Sequence, residues 1–256
     1  MKATAIIQAR YSSTRLPGKV LMKVLDKTIL EYVIERVARA ESVDKVIVAT
    51  SVNEADGKIA DLLEGAGIDF FRGSENDVLD RFYRTALNAG AEHLVRITAD
   101  CPLADPAVID RIVRRYFDSG ADYCSNTLEV TYPDGLDAEA FSFKALREAW
   151  ESAGLTSERE HVTPFIYKHP EKFKLESFRN GNDLSEKRWT VDERTDFMFV
   201  KAVLEGLYPV KPDFHMEDVL GFLEDKPGLE DLNKGIVRNE GYIRSLAEDE
   251  QITTEG

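Results

Sequence analysis

At 256 residues the chain can bury one substantial core, which favours one α/β domain with a smaller embedded lobe over two independent domains. Its formal net charge of -14 repels polyanions, so no nucleic-acid partner is expected and any phosphate site must be a local basic pocket. Apolar runs fall far short of the roughly 18 to 20 residues of a membrane-spanning helix, and no signal-peptide core follows Lys2. A cytoplasmic protein without membrane insertion is expected.

Short β-branched runs alternate with helical periodicity through the first half, the pattern of a mostly parallel sheet covered by helices. Strands are predicted at Thr4–Ala9, Lys45–Thr50, Ile68–Arg72 and His93–Thr98. Leu30, Val33, Ile34 and Val37 form one helical stripe, and Val78, Leu79, Phe82 and Leu87 another, all read as core. Ser74 with Asp77 resembles a capping box, and Asp105 followed by Pro106 marks a second helix start. Further strands are predicted at Ala121–Ser125, Ala140–Phe143 and Arg188–Val191, with a turn at Pro133–Gly135. Helices are predicted at Lys144–Ser152, at Glu158–Lys168 and from Glu193 onward, before a polar tail that frays after Ala247. The sheet domain is placed at 1–210, with an inserted lobe at about 130–185 and a helical extension at 211–256. Cys101 and Cys124, too few for a disulfide framework and without CxxC spacing, are read as packing residues.

Open α/β sheets bind ligands beyond the carboxyl ends of their strands, which directs attention to the loop after Ala9. It reads Arg10, Tyr11, Ser12, Ser13, Thr14, Arg15, Leu16, Pro17, Gly18, Lys19: three cations and three hydroxyls around a Pro-Gly turn, in a strongly acidic chain. Arginine forks grip phosphate oxygens, lysine adds a mobile charge, and a tight turn offers backbone N–H groups. A solvated basic loop is the bland alternative; its place after an apolar strand favours a phosphate site on an exposed turn. It is neither a GxGxxG dinucleotide loop nor a Walker loop, since Ser13 and Val20 stand where the latter needs glycine and Ser or Thr. Asp100 and Asp192 each follow an apolar strand and should project from the same sheet edge, as hard oxygen ligands suited to Mg2+ shared with phosphates. Either alone would more simply cap the next turn.

The run AIIQARYSSTRLPGKVL, followed by LEYVIERV, resembles the opening of the cytidylyltransferase family that makes CMP-activated acidic sugars. FRGSENDVLDRFY, VRITADCPL, SNTLEVTYPDGLDAEAFSF, EREHVTPFIY, RWTVDE and RNEGY extend the likeness over nearly the whole chain, toward the branch named after the spore coat polysaccharide biosynthesis protein SpsF. The resemblance implies a Rossmann-like sheet of the nucleotidyltransferase (GT-A-like) type. It implies that Arg10, Arg15 and Lys19 embrace the triphosphate of CTP with Ser12, Ser13 and Thr14 nearby, and that the base lies against Ala9 and the segment containing Arg72 and Ser74. Asp100 and Asp192 match its metal aspartates; the sialic-acid branch often has a second aspartate two residues after the later one, where this chain has Arg194. It also implies a homodimer and an acceptor site among Asn126, Tyr132, Asp137, Glu139, Arg159, Glu160 and His161. The expected reaction, with Arg10, Arg15, Lys19 and Asp100 as the catalytic group, is attack of a sugar-like, acidic acceptor on the α-phosphorus of CTP, releasing pyrophosphate, in cell-surface polysaccharide biosynthesis. A metal-dependent glycosyltransferase and a noncatalytic nucleotide-binding protein are the rival readings; the former lacks its usual DxD at Asp100.

Overall fold

A computed structural model describes residues 1–255, with side chains to Glu250. The chain opens with β1 (Ala3–Gln8), a hairpin of β2 (Lys23–Val24) and β3 (Lys27–Thr28), and α1 (Ile29–Ala38). Then follow β4 (Val43–Ser51), α2 (Gly57–Gly65), β5 (Phe70–Gly73), α3 (Val78–Ala89), β6 (His93–Thr98) and α4 (Pro106–Ser119). The second half holds β7 (Tyr123–Ser125), β8 (Glu139–Ser142), α5 (Phe143–Ser152), α6 (Thr156–His161), α7 (Pro164–Lys168) and β9 (Leu175–Ser177). Helices α8 (Arg194–Leu207), α9 (Met216–Glu224) and α10 (Glu240–Glu255) complete it.

Seven strands form one sheet in the order β5-β4-β1-β6-β8-β7-β9, in which β8 alone runs against its neighbours. Parallel strands buried on both faces read as continuous apolar runs, and Ala5, Ile6 and Ile7 of β1 are fully buried. Because side chains alternate across a strand, Ile7 joins the core under α1 and α4, while Ile6 joins the one under α3 and α5. The chain leaves β1 toward β4 on one side, while β6 flanks the other; that change of direction opens a crevice at the strands' carboxyl ends.

Several expectations change. The segment at 130–185 contributes β8 and β9 to the main sheet, so it does not form a separate lobe. Arg188–Val191 is no regular strand: Arg188 makes a single bridge to Asp134, and the backbone then turns to meet Asp100. The helix predicted at Glu158–Lys168 is broken at Val162, whose φ of 74° no α-helix accommodates. Asp77, rather than Ser74, caps α3, and Leu87 is 51% exposed because Ala86 occupies the inward position one step earlier. The tail after Ala247 stays helical to Glu255.

Candidate active site

The loop after β1 folds back on itself. Ser13 and Gly18 both donate backbone N–H bonds to the Tyr11 carbonyl, at 2.9 and 2.8 Å, and the buried Asp56 accepts from the Tyr11 N–H at 2.6 Å. Gly18 has φ 73°, and a Cβ there would come within 2.9 Å of the Tyr11 ring. This turn drives Lys19 inward, leaving it 7% exposed, so it does not sit on an exposed turn.

Lys19 ends between the two aspartates, donating to Asp100 Oδ2 at 2.6 Å and to Asp192 Oδ1 at 2.8 Å. Two long-range links bring Asp192 there. Val191 N–H donates to the Asp100 carbonyl at 2.8 Å, and the Thr190 hydroxyl donates to the same oxygen at 3.2 Å. Gly135, at φ 110°, permits the close passage, since a Cβ there would lie 2.6 Å from the Trp189 carbonyl carbon. Arg188 takes the other Asp192 oxygen at 2.8 Å and also pairs with Asp134 and Asp196. Arg15 reaches Asp192 at 3.1 Å and Glu240 at 2.7 Å. Burial opposes charge on Asp192, but Lys19, Arg15 and Arg188 outweigh it and hold the carboxyl at about 2. Burial likewise works against the Lys19 ammonium, and Asp100 and Asp192 raise it above its ordinary value.

These groups stand at a cavity of about 510 Å³, whose wall also includes Arg10, Ser13 and Thr14. Ala9 is buried behind it, and Ser12 points away to Glu75 at 3.1 Å. Arg72 and Ser74 are not on the wall: Arg72 donates to the Ser51 and Asn53 carbonyls at 2.9 Å each, and the Ser74 hydroxyl accepts from the Asp77 N–H. Both are braces of the β4–β5 edge in this structure. Asp137, Glu139, Glu160 and His161 line the same wall, and Glu160 lies 3.9 Å from Arg10. Asn126 instead bonds the backbone of Leu136 and Ala138, Tyr132 packs in the core against Phe178, and Arg159 ties α6 to Asp77. The polar groups of Asn126 and Arg159 and the ring of Tyr132 are thus engaged away from the cavity, and none of the three lines its wall.

The wall has members that sequence reasoning missed. Arg96, a cation within the apolar β6, pairs with Glu139, which also accepts from the Tyr123 and Thr163 hydroxyls at 2.6 Å each. Helix α10 supplies Tyr242, Ser245 and Glu248; Ser245 donates to Glu160 at 2.7 Å and lies 3.1 Å from His161 Nε2. A charged residue in an apolar strand was the available signal for Arg96. RNEGY marks the start of α10, but nothing local shows that this helix packs on one some 80 residues earlier.

The mostly parallel sheet carries a cationic loop and two carboxylates at its switch point, and similarity to known proteins gives the class, a nucleotidyltransferase. The structure of a cytidylyltransferase from Leptospira borgpetersenii superposes with a TM-score of 0.86 at 30% identity, over 93% of this chain and 100% of that one. CMP:2-keto-3-deoxy-manno-octonic acid synthetase complexed with CTP shares the fold, with a TM-score of 0.62 at 17% identity over 80% of this chain and 99% of that one. The spore coat polysaccharide biosynthesis protein SpsF of Bacillus subtilis is 32% identical over 233 residues, covering 87% of this chain and 94% of SpsF. The cytidylyltransferase profile matches residues 4–219, and the chain belongs to that family.

Proposed function

We propose that the protein transfers CMP from CTP to a sugar-like acceptor, releasing pyrophosphate, in cell-surface polysaccharide biosynthesis. The observation that carries this reading is the meeting of Lys19 with Asp100 and Asp192 beside Arg10 and Arg15, in a cavity large enough for a nucleotide and a small partner. An acceptor hydroxyl oxygen forms a bond to the α-phosphorus as the bond to the bridging oxygen breaks, and its proton passes to solvent. Arg10, Arg15 and Lys19 hold the triphosphate and spread the charge that pyrophosphate carries away. Asp137, Glu139, Glu160 and His161 face the acceptor.

The donor set fits a divalent cation. Asp100 and Asp192 present hard carboxylate oxygens to one point, already marked by the Lys19 ammonium, and among the described residues no third Asp, Glu, His or Cys joins them. Two carboxylates with the remaining positions left to phosphates and water is the usual provision for Mg2+. When bound, the metal would neutralise phosphate charge and orient the triphosphate. The protein acts in the cytoplasm as a homodimer in this reading; among the described residues no helix is long and apolar enough to cross a membrane.

The test is pyrophosphate release from each of the four NTPs with Mg2+ and a panel of sugar acceptors. CTP should be used at least about 100-fold better than the others, because a wrong base edge leaves buried polar groups unpaired. Equal turnover of all four would remove the cytidylyl assignment.

A further inference from the structure

The carboxylates read as metal ligands already share a cation of the chain's own. Lys19 Nζ lies 2.6 Å from one and 2.8 Å from the other, and its side chain is only 9% exposed. A metal entering the nucleotide-free site would have to expel this ammonium from Asp100 and Asp192, its anionic partners among the described residues, and a buried cation without a counter-charge is strongly disfavoured. A triphosphate removes that obstacle by giving Lys19 a new anion. It does the same for Arg15, which is held at Asp192, Glu193 and Glu240. Asp192 would not drift when Lys19 leaves, because Arg188 holds its second oxygen at 2.8 Å and its backbone N–H donates to Asp196 at 3.0 Å.

We propose that Lys19 is a built-in counter-cation for the Asp100–Asp192 pair, which keeps a divalent metal out of the free enzyme and yields its place when a triphosphate draws the ammonium away. Metal and nucleotide then bind as one cooperative event, and the carboxylate pair stays assembled between turnovers without a resident ion. The proposal rests on the reading of Asp100 and Asp192 as metal ligands.

Mn2+ titrated into nucleotide-free protein, with the free ion followed by electron paramagnetic resonance, tests it without turnover. Lys19→Met should bind one Mn2+ at least about tenfold tighter than wild type, since a competing unit charge at contact distance has gone. The gain should vanish in Lys19→Met/Asp100→Asn. Lys19→Gln, which keeps a hydrogen-bond donor and tolerates the site better, should show the same gain, together with a Mn2+-dependent rise in melting temperature absent from wild type. Equal Mn2+ affinity in wild type and both Lys19 variants overturns the proposal, as does a gain that survives loss of Asp100. If the Lys19 variants match wild type while Asp100→Asn raises the metal concentration needed for turnover, the counter-cation fails and the metal reading stands. If Asp100→Asn and Asp192→Asn both leave the metal dependence of turnover unchanged, the metal reading fails with it.

Discussion

His161 shows how position sets the chemistry of a single side chain. Burial lowers its pKa to about 4, with help from the Arg96 and Arg10 charges and against the pull of Glu160. At neutral pH it is therefore an uncharged ring, able to share a hydrogen bond with Ser245 but unable to hold an anion by charge. The stability consequence has a definite sign. Between about 4 and the unfolded value of 6.5 the unfolded chain takes up a proton that the folded ring refuses, so this contribution is complete above pH 6.5 and is lost as the pH falls toward 4. By pH 5 the loss amounts to about 2 kcal/mol. Urea unfolding of wild type and His161→Gln at pH 7.5 and pH 5 should show the wild type losing more stability by about that amount. An equal loss in both proteins would mean that His161 is charged or exposed in the folded state.

At the scale of elements, the start of α8 does the most to build the site. Asp196 in its first turn is fully buried, accepts from the Asp192 and Glu193 N–H groups at 3.0 and 2.9 Å, and pairs with Arg188 at 2.9 Å. Asn233 donates to it as well, at 3.1 Å. Asp196→Ala should cost about 3 to 5 kcal/mol, because it strands part of a buried guanidinium, and should lower turnover by loosening Asp192. Denaturant midpoints at an unchanged m-value measure the first effect, and a loss within about 0.5 kcal/mol, the range of an ordinary surface site, would refute it. The elements differ in how far they could be read from sequence. β1, β4 and β6 are buried apolar runs, and the basic loop and Asp100 follow from placing ligands at strand ends, whereas the strand expected before Asp192 does not form. By contrast, β2, β3 and β9 are too short to show a period. Trp189, Thr190 and Val191 have the composition of a strand, yet their backbone is claimed by Asp134 and Asp100 instead. Arg72 and Ser74 carried a base-binding expectation, but their local bonds to Ser51, Asn53 and Asp77 are a matter of tertiary geometry that residue type does not reveal.

At the scale of the whole molecule, the active cavity is closed by a helix from the far end of the chain. Arg15 and Glu240 are 225 residues apart and joined at 2.7 Å. Arg238, just before α10, reaches Asp137, while Ser157 N–H donates to Asp249 at 3.1 Å. Helix α10 packs chiefly on α6 and lies beside Glu160 and His161, whereas Lys19, Asp100 and Asp192 are positioned by β1, β6 and α8. The two halves of the reaction should therefore separate on removal of residues 239–256. The truncated protein should still be stabilised by CTP in a thermal-shift assay, because the triphosphate loop and its strands remain and Arg15 is relieved of Glu240. Acceptor-dependent turnover, by contrast, should fall on the order of 100-fold, the usual consequence of losing one wall that fixes a reactant's position. The CTP shift doubles as a check that the sheet has folded. Wild-type kcat/KM for acceptor in a truncated protein that retains the shift would remove α10 from the acceptor site and leave its contact with Arg15 as a surface ion pair.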